Sequence, residues 1–208
     1  MTDQLSLYNG ALIKLGQPRL SDLSDEGKAR RALDAEYAKT VKASLEGAFW
    51  NFAMRFVQME ATPSAGTNYG YQYVFDKPDD WLRTAGVTSD AYGRCPLLDY
   101  DDRATFILAD ISTIYLRYVS NDQDYGLDLG NWPQSFVDFV ETSLAFQICE
   151  EVTGSSDRKD KLEKARDKAK YKASNTDAMN EAVMRYPPAG RLVQSRGTSS
   201  RRRPDGLR

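Results

Sequence analysis

The sequence predicts an α+β protein, a helical bundle built from both chain ends with an inserted antiparallel β module. Three observations predict it. Apolar residues recur at helical spacing before Trp50 and again after Trp132, they recur at strand spacing in between, and the change of period falls within one stretch, GAFWNFAMRFVQME at 47–60. Phe49 and Trp50 are adjacent there, so they cannot share a helix face and are expected to anchor the meeting of two layers. Beyond them Phe52, Met54, Phe56 and Gln58 fall on one side, and Ala53, Arg55, Val57 and Met59 on the other. The implied boundaries are 1–50 with 132–186 for the bundle, 51–131 for the β module and 187–208 for a basic, flexible C-terminal arm.

Taken in order, residues 4–15 place Leu5, Tyr8, Leu12 and Leu15 on one helix face, and Gly16 with Pro18 ends the helix. Ser24, followed by Asp25 and Glu26, predicts the start of a second helix, because acidic side chains suit the positive end of the helix dipole. Ala29, Leu33, Tyr37, Val41 and Leu45 continue it at spacings of four. In the middle, Pro63–Gly66 reads as a turn, and the alternation of Tyr69, Tyr71, Tyr73 and Phe75 reads as a strand. Trp81–Val87, Arg94–Leu98, Thr105–Leu108 and Thr113–Val119 are further strand candidates, with Asp99–Asp102 as a turn. Short strands joined by turns imply antiparallel pairing.

Asn131-Trp132-Pro133 restarts a helix whose apolar belt, from Phe136 to Val152, is too wide for one contact face and marks it as the central helix. Gly154 ends it, and Ser155 or Ser156 caps the next. In that last helix twelve of the sixteen residues 157–172 are charged, and Leu162, Ala165, Ala169 and Ala173 form a narrow stripe suited to close approach, expected as a subunit contact. The pattern can continue to Tyr186, with 174–177 as a possible break, before Pro187-Pro188 ends it.

Composition narrows the chemistry. The chain has 208 residues, 41% of them hydrophobic, enough for a substantial core, and no histidine. Ser-His-Asp, Cys-His and histidine-bearing metal mechanisms are therefore excluded. No phosphate-cradling glycine motif occurs, and no cofactor is expected. No apolar run approaches the roughly 20 residues needed to span a bilayer, and the opening MTDQLSLYNG lacks the basic region of a signal peptide, so a cytoplasmic product is expected. Cys95 and Cys149 are expected to be small buried hydrophobes. Carboxylates cluster at Asp76/Asp79/Asp80, Asp99/Asp101/Asp102 and Asp122/Asp124/Asp128. A glycosidase pair or a cation site is one reading; turn chemistry is the expected one, since every cluster lies within a few residues of Gly, Pro or Asn and Gly126 stands where a calcium loop needs an oxygen ligand. The tyrosine stripe offers base stacking as an alternative to core or subunit contact. Charge is uneven: the last twenty residues carry +5, so residues 1–188 carry −7 of the overall −2.

The opening LYNGALIKLGQPRLSDLSDEGKARRALDAEY, the hinge GAFWNFAMR and the later IYLRYVSND together resemble the tail tubular protein A family of short-tailed bacteriophages. The resemblance lies in Asn9, Ala11, Leu12, Leu15, Gly16, Leu20 and Leu23, then in Trp50 to Arg55, and covers roughly residues 5–186. It implies a structural virion protein of the tail or neck, assembled in the host bacterial cytoplasm. Such proteins form a homo-oligomeric ring, typically of twelve copies, between the portal protein and the tail nozzle protein. DNA passes through the lumen without sequence-specific binding, and the family brings no catalytic residues. In that setting Leu192 and Val193 are expected to dock in a shallow pocket while Arg191, Arg196, Arg201, Arg202 and Arg203 pair with partner carboxylates. The alternatives are a virion-associated muramidase using paired carboxylates and a DNA-binding regulator using the basic tail.

Overall fold

The computed structural model describes residues 2–62 and 70–180. The expected turn at 63–66, Tyr69, the helical continuation to Tyr186 and the C-terminal arm lie outside the described residues. The chain is α+β, with two helices at each end and six strands between them in the described residues.

Helix α1 (Gln4–Lys14) opens on a capping box, in which the Ser6 N–H donates to the Asp3 carboxylate at 2.8 Å and the Asp3 N–H donates to Ser6 Oγ at 3.0 Å. It buries Leu7, Tyr8, Ala11 and Leu12, and Gly16 ends it in the left-handed region at φ 66°. Leu7 thus joins the buried face, and Leu5 lies at its edge. Helix α2 (Lys28–Glu46) starts three residues later than Asp25, with Gly27 as an N-cap lacking a side-chain bond. The Asp25 carboxylate is engaged elsewhere, accepting from the Ser21 and Asp22 N–H groups at 2.7 and 3.2 Å and closing the preceding loop. Leu33, Val41 and Leu45 are buried as the spacing predicts, and Ala32, Thr40 and Ser44 widen that face.

After α2 the chain makes a single 3₁₀ turn, Asn51–Ala53, and only then enters β1 (Met54–Glu60). The remaining strands are β2 (Tyr73–Asp76), β3 (Trp81–Thr88), β4 (Tyr100–Asp102), β5 (Phe106–Ala109) and β6 (Thr113–Ser120). They form two three-stranded antiparallel sheets, β1-β6-β3 and β2-β5-β4. Three expectations need correction. Asp99–Asp102 is not simply a turn, because residues 100–102 pair with β5; Arg94–Leu98 is a loop joined to β3 by one bridge, Thr88 to Pro96; and in the described part of the tyrosine alternation Tyr71 lies outside the strand, which begins at Tyr73. A proline at the centre of 94–98 removes a ladder donor, which accounts for the second.

Helix α3 (Gln134–Thr153) follows Pro133, and Gly154 closes it at φ 65°. Helix α4 (Ser156–Met179) is capped by Ser155, whose hydroxyl accepts from the Arg158 N–H, and it runs through 174–177 without a break. Helix α3 packs against α1, α2 and α4, the central place its wide apolar belt requires. Two apolar clusters result. One gathers the four helices with Trp50, Ala53, Leu82, Val119 and Trp132; the other fills the space between the sheets with Phe75, Val87, Ile107, Ala109, Ile114, Leu116 and Tyr118. Ala53, Leu82 and Val119 belong to the β segment by sequence yet pack in the helical cluster, so the two parts share side chains where they meet.

Candidate functional site

The residues that carry the resemblance are fastening points. Asn9 holds the loop after α1 with both amide atoms, donating to the Leu20 carbonyl at 3.2 Å and accepting from the Leu20 N–H at 2.7 Å. Ala11, Leu12 and Leu15 are fully buried, and Leu20 and Leu23 pack on the same cluster. At the hinge Trp50 is 1% exposed, its indole N–H donates to the Ser44 carbonyl at 2.9 Å, and its ring meets Phe136 edge-on at 4.8 Å. Phe52 packs on Phe136 at 4.9 Å from another side. Asn51 reaches across 126 positions to the end of α4: its backbone N–H donates to the Asp177 carboxylate and its side-chain amide to the Asp177 carbonyl, both at 2.9 Å. Phe49, by contrast, is 45% exposed under the Arg83 guanidinium at 4.3 Å, so of the adjacent aromatic pair only Trp50 anchors the core.

Arg55, the last residue of the hinge motif, leads to a second node. Its guanidinium donates to the Asp80 carboxylate at 2.9 Å, and Asp80 also accepts from the Tyr118 hydroxyl at 2.9 Å and from the Ser120 hydroxyl. Burial alone would raise the Asp80 pKa, but the bonds from Ser120, Arg55 and Tyr118 outweigh it and hold the carboxyl below its ordinary value. Burial and then the neighbouring carboxylate push the Tyr118 phenol upward, so it stays a donor. Beside this node an open cleft of about 300 Å³ is lined by Arg55, Val57, Gln58, Met59 and Glu60 of β1, by Asp76 and Pro78, and by Tyr118.

The carboxylates of the other two clusters, 99–102 and 122–128, behave as turn and ion-pair groups. Asp101 pairs with Arg103 at 2.6 Å, Asp102 pairs with Lys77, and Asp99 accepts from Tyr71 at 3.2 Å. Asp122 accepts from the Asp124 N–H at 2.9 Å, and Asp128 accepts from the Gly130 N–H at 2.9 Å. Gly126 is fixed by packing: a Cβ there would lie 2.1 Å from the Ser120 carbonyl oxygen. Among the described residues no group of three or more His, Cys, Asp or Glu is placed to hold a metal, and no helix is long and apolar enough to cross a membrane. Among the described residues Glu141 is the carboxyl whose pKa is raised, first by burial, then by Asp138 against the opposing pull of Lys14 at 3.6 Å. It sits where α3 meets α1 at Gly10 and lines neither the cleft beside β1 nor the smaller one between the hinge and the end of α4.

The stripe on α4 divides. Leu162, Ala169 and Ala173 are buried in the chain's own helical cluster, whereas Ala165 is exposed. The close approach these small residues permit is made within the chain, chiefly along α3, which corrects their expected use as a subunit contact for three of the four. Arg191, Leu192, Val193, Arg196, Arg201, Arg202 and Arg203 lie outside the described residues. Cys149 is buried as expected, but Cys95 is exposed in the loop after β3. Of the tyrosine stripe, Tyr73 packs on the cluster between the sheets and Tyr71 bonds Asp99.

Comparison with protein-family models gave no match, and comparison with curated proteins gave none.

Proposed function

We propose that this chain is a structural virion protein, a head-to-tail adaptor that forms a ring between the portal and the tail nozzle and lines the DNA passage. The observation that carries the reading is the ordered set of residues shared with the tail tubular protein A pattern, from Asn9 through Arg55. What supports it further is that these residues fasten the first loop, the hinge, the end of α4 and the sheet to one another. A family pattern made of fastenings fits a protein whose task is shape. The negative body would let DNA pass without adhering, while the basic arm, with Arg191, Leu192, Val193, Arg196 and Arg201 to Arg203, grips the portal or an adjacent subunit.

Co-sedimentation with the cognate portal protein tests the proposal: the full chain should travel with portal rings, and deletion of 189–208 should weaken that association, as should added salt. A chain that ignores the portal would overturn it. Among the described residues, the feature that favours hydrolysis is the raised Glu141 pKa beside Asp138. Its position between two helices predicts no clearing of cell-wall substrate in a zymogram, and clearing abolished by Glu141→Gln would replace the adaptor reading.

A further inference from the structure

Strand β1 is an edge strand. Among the described residues it pairs along its length with β6 on one side only; on its other side the outward backbone groups are those of the alternate residues Met54, Phe56, Gln58 and Glu60, and just beyond its end the Thr62 N–H, facing the same way, donates to the Val74 carbonyl of β2 at 2.8 Å. Such an edge is a template for another strand. The cleft beside it is lined by the consecutive residues Val57, Gln58, Met59 and Glu60. Arg55, Val57 and Met59 share one face of β1 with Tyr118 of β6, and the lining also takes in Gln58 and Glu60 with Asp76 and Pro78 opposite, so the hollow opens from that face out to the strand's edge. Its rim is acidic: Glu60 and Asp76 are exposed, and their carboxylates have no ion pair among the described residues. On the opposite face of β1, Phe56 is 43% exposed and stacks beside Tyr115 at 5.9 Å.

We infer that β1 receives, as an added strand, the segment Arg191–Arg196 from the C-terminal arm of a second copy of this chain. The sequence RLVQSR suits the place in three ways. Leu192 and Val193 are adjacent, so in an extended strand one enters the cleft against Val57 and Met59 while the other covers Phe56. Each face of the segment carries one of these apolar side chains and one arginine, Arg191 with Val193 and Arg196 with Leu192, and these meet the Glu60 and Asp76 rim. The arm has the reach: the ten residues 181–190 span up to about 33 Å, and the last twenty up to about 65–70 Å, enough to leave one subunit for the next. The inference rests on the ring reading and gives the arm a seat within it.

The test uses the full chain with a photoreactive residue in place of Val193, mixed with full-length ¹⁵N-labelled protein that lacks it, under conditions where electron microscopy has scored assembly. Cross-links from unlabelled position 193 to labelled residues 55–60 or 76–78 are the expected result. Yield should fall about tenfold when Glu60→Lys and Asp76→Lys reverse the rim charge. Cross-links confined to one copy, cross-links to other surfaces, or a yield indifferent to the charge reversal would each overturn the inference. Rings without the cross-link sink this seat alone; failure to form rings and to bind the portal sinks the adaptor reading itself.

Discussion

Replacing Trp50 by alanine removes the largest fully buried side chain at the point where the helices hand over to the sheet. The indole meets Phe136 at 4.8 Å, Phe52 at 6.2 Å and Phe139 at 6.3 Å, and its N–H is bonded to the Ser44 carbonyl near the end of α2. Truncating a buried aromatic in a packed core costs about 3–5 kcal/mol. Phe136 also holds Trp132 and Phe52 at 4.9 Å each, so the surroundings are tied to one another and poorly able to collapse into the space. That puts the expected loss at the upper end of the range, a large part of the roughly 5–15 kcal/mol that stabilises a typical domain. Trp50→Phe keeps an aromatic ring and loses mainly the bond to Ser44 and some volume, so about 1–2 kcal/mol is expected. Urea unfolding followed by circular dichroism reads both, as a shift in midpoint at unchanged slope. A loss below about 1 kcal/mol for Trp50→Ala would refute the claim that this residue anchors the hinge.

Gly126→Ala should destabilise by about 1–3 kcal/mol or more, measured the same way, because the added carbon meets the Ser120 backbone oxygen at 2.1 Å and a backbone cannot swing aside as a side-chain tip can. Asp80→Asn should cost about 1–3 kcal/mol at neutral pH, an amount moderated by water at the partly exposed Arg55. Since the folded state lowers the Asp80 pKa from 3.8, its stabilisation is complete above that value and is lost as pH falls through the lower folded value; the gap between wild type and variant should therefore close only in acid below about pH 4. Ala169→Leu should overpack the contact of α4 with its own core and cost about 1–3 kcal/mol, whereas Ala165→Leu, on the open face, should change folding stability by less than about 0.5 kcal/mol.

The helices were legible because each has a strong period and clear punctuation: Gly16 and Gly154 stop α1 and α3 in the left-handed conformation glycine permits, and Ser155 caps α4. The start of α2 was misplaced because Ser24-Asp25-Glu26 satisfies a capping pattern that a turn uses equally well, and the turn holds Asp25. Among the strands, β6 was clear from its long alternation, while β4 was hidden under Asp residues, which disfavour strands on average but suit a short edge paired with β5. The Asp80 node and the Asn51–Asp177 pin join residues far apart in sequence, and no local spacing signals a contact across 126 positions. The cleft beside β1 was equally invisible, since an edge strand differs from a central one only by what lies next to it. The stripe on α4 showed that small residues allow close approach, without saying whether the neighbour is the chain itself or a second copy.

Electron microscopy of the full-length protein, alone and with the cognate portal protein, tests the central claim most directly. The adaptor account predicts a closed ring seated coaxially on the portal, with an open lumen wide enough for duplex DNA, about 20 Å or more across. A protein that stays a single copy at all concentrations, and leaves the portal bare, would contradict it.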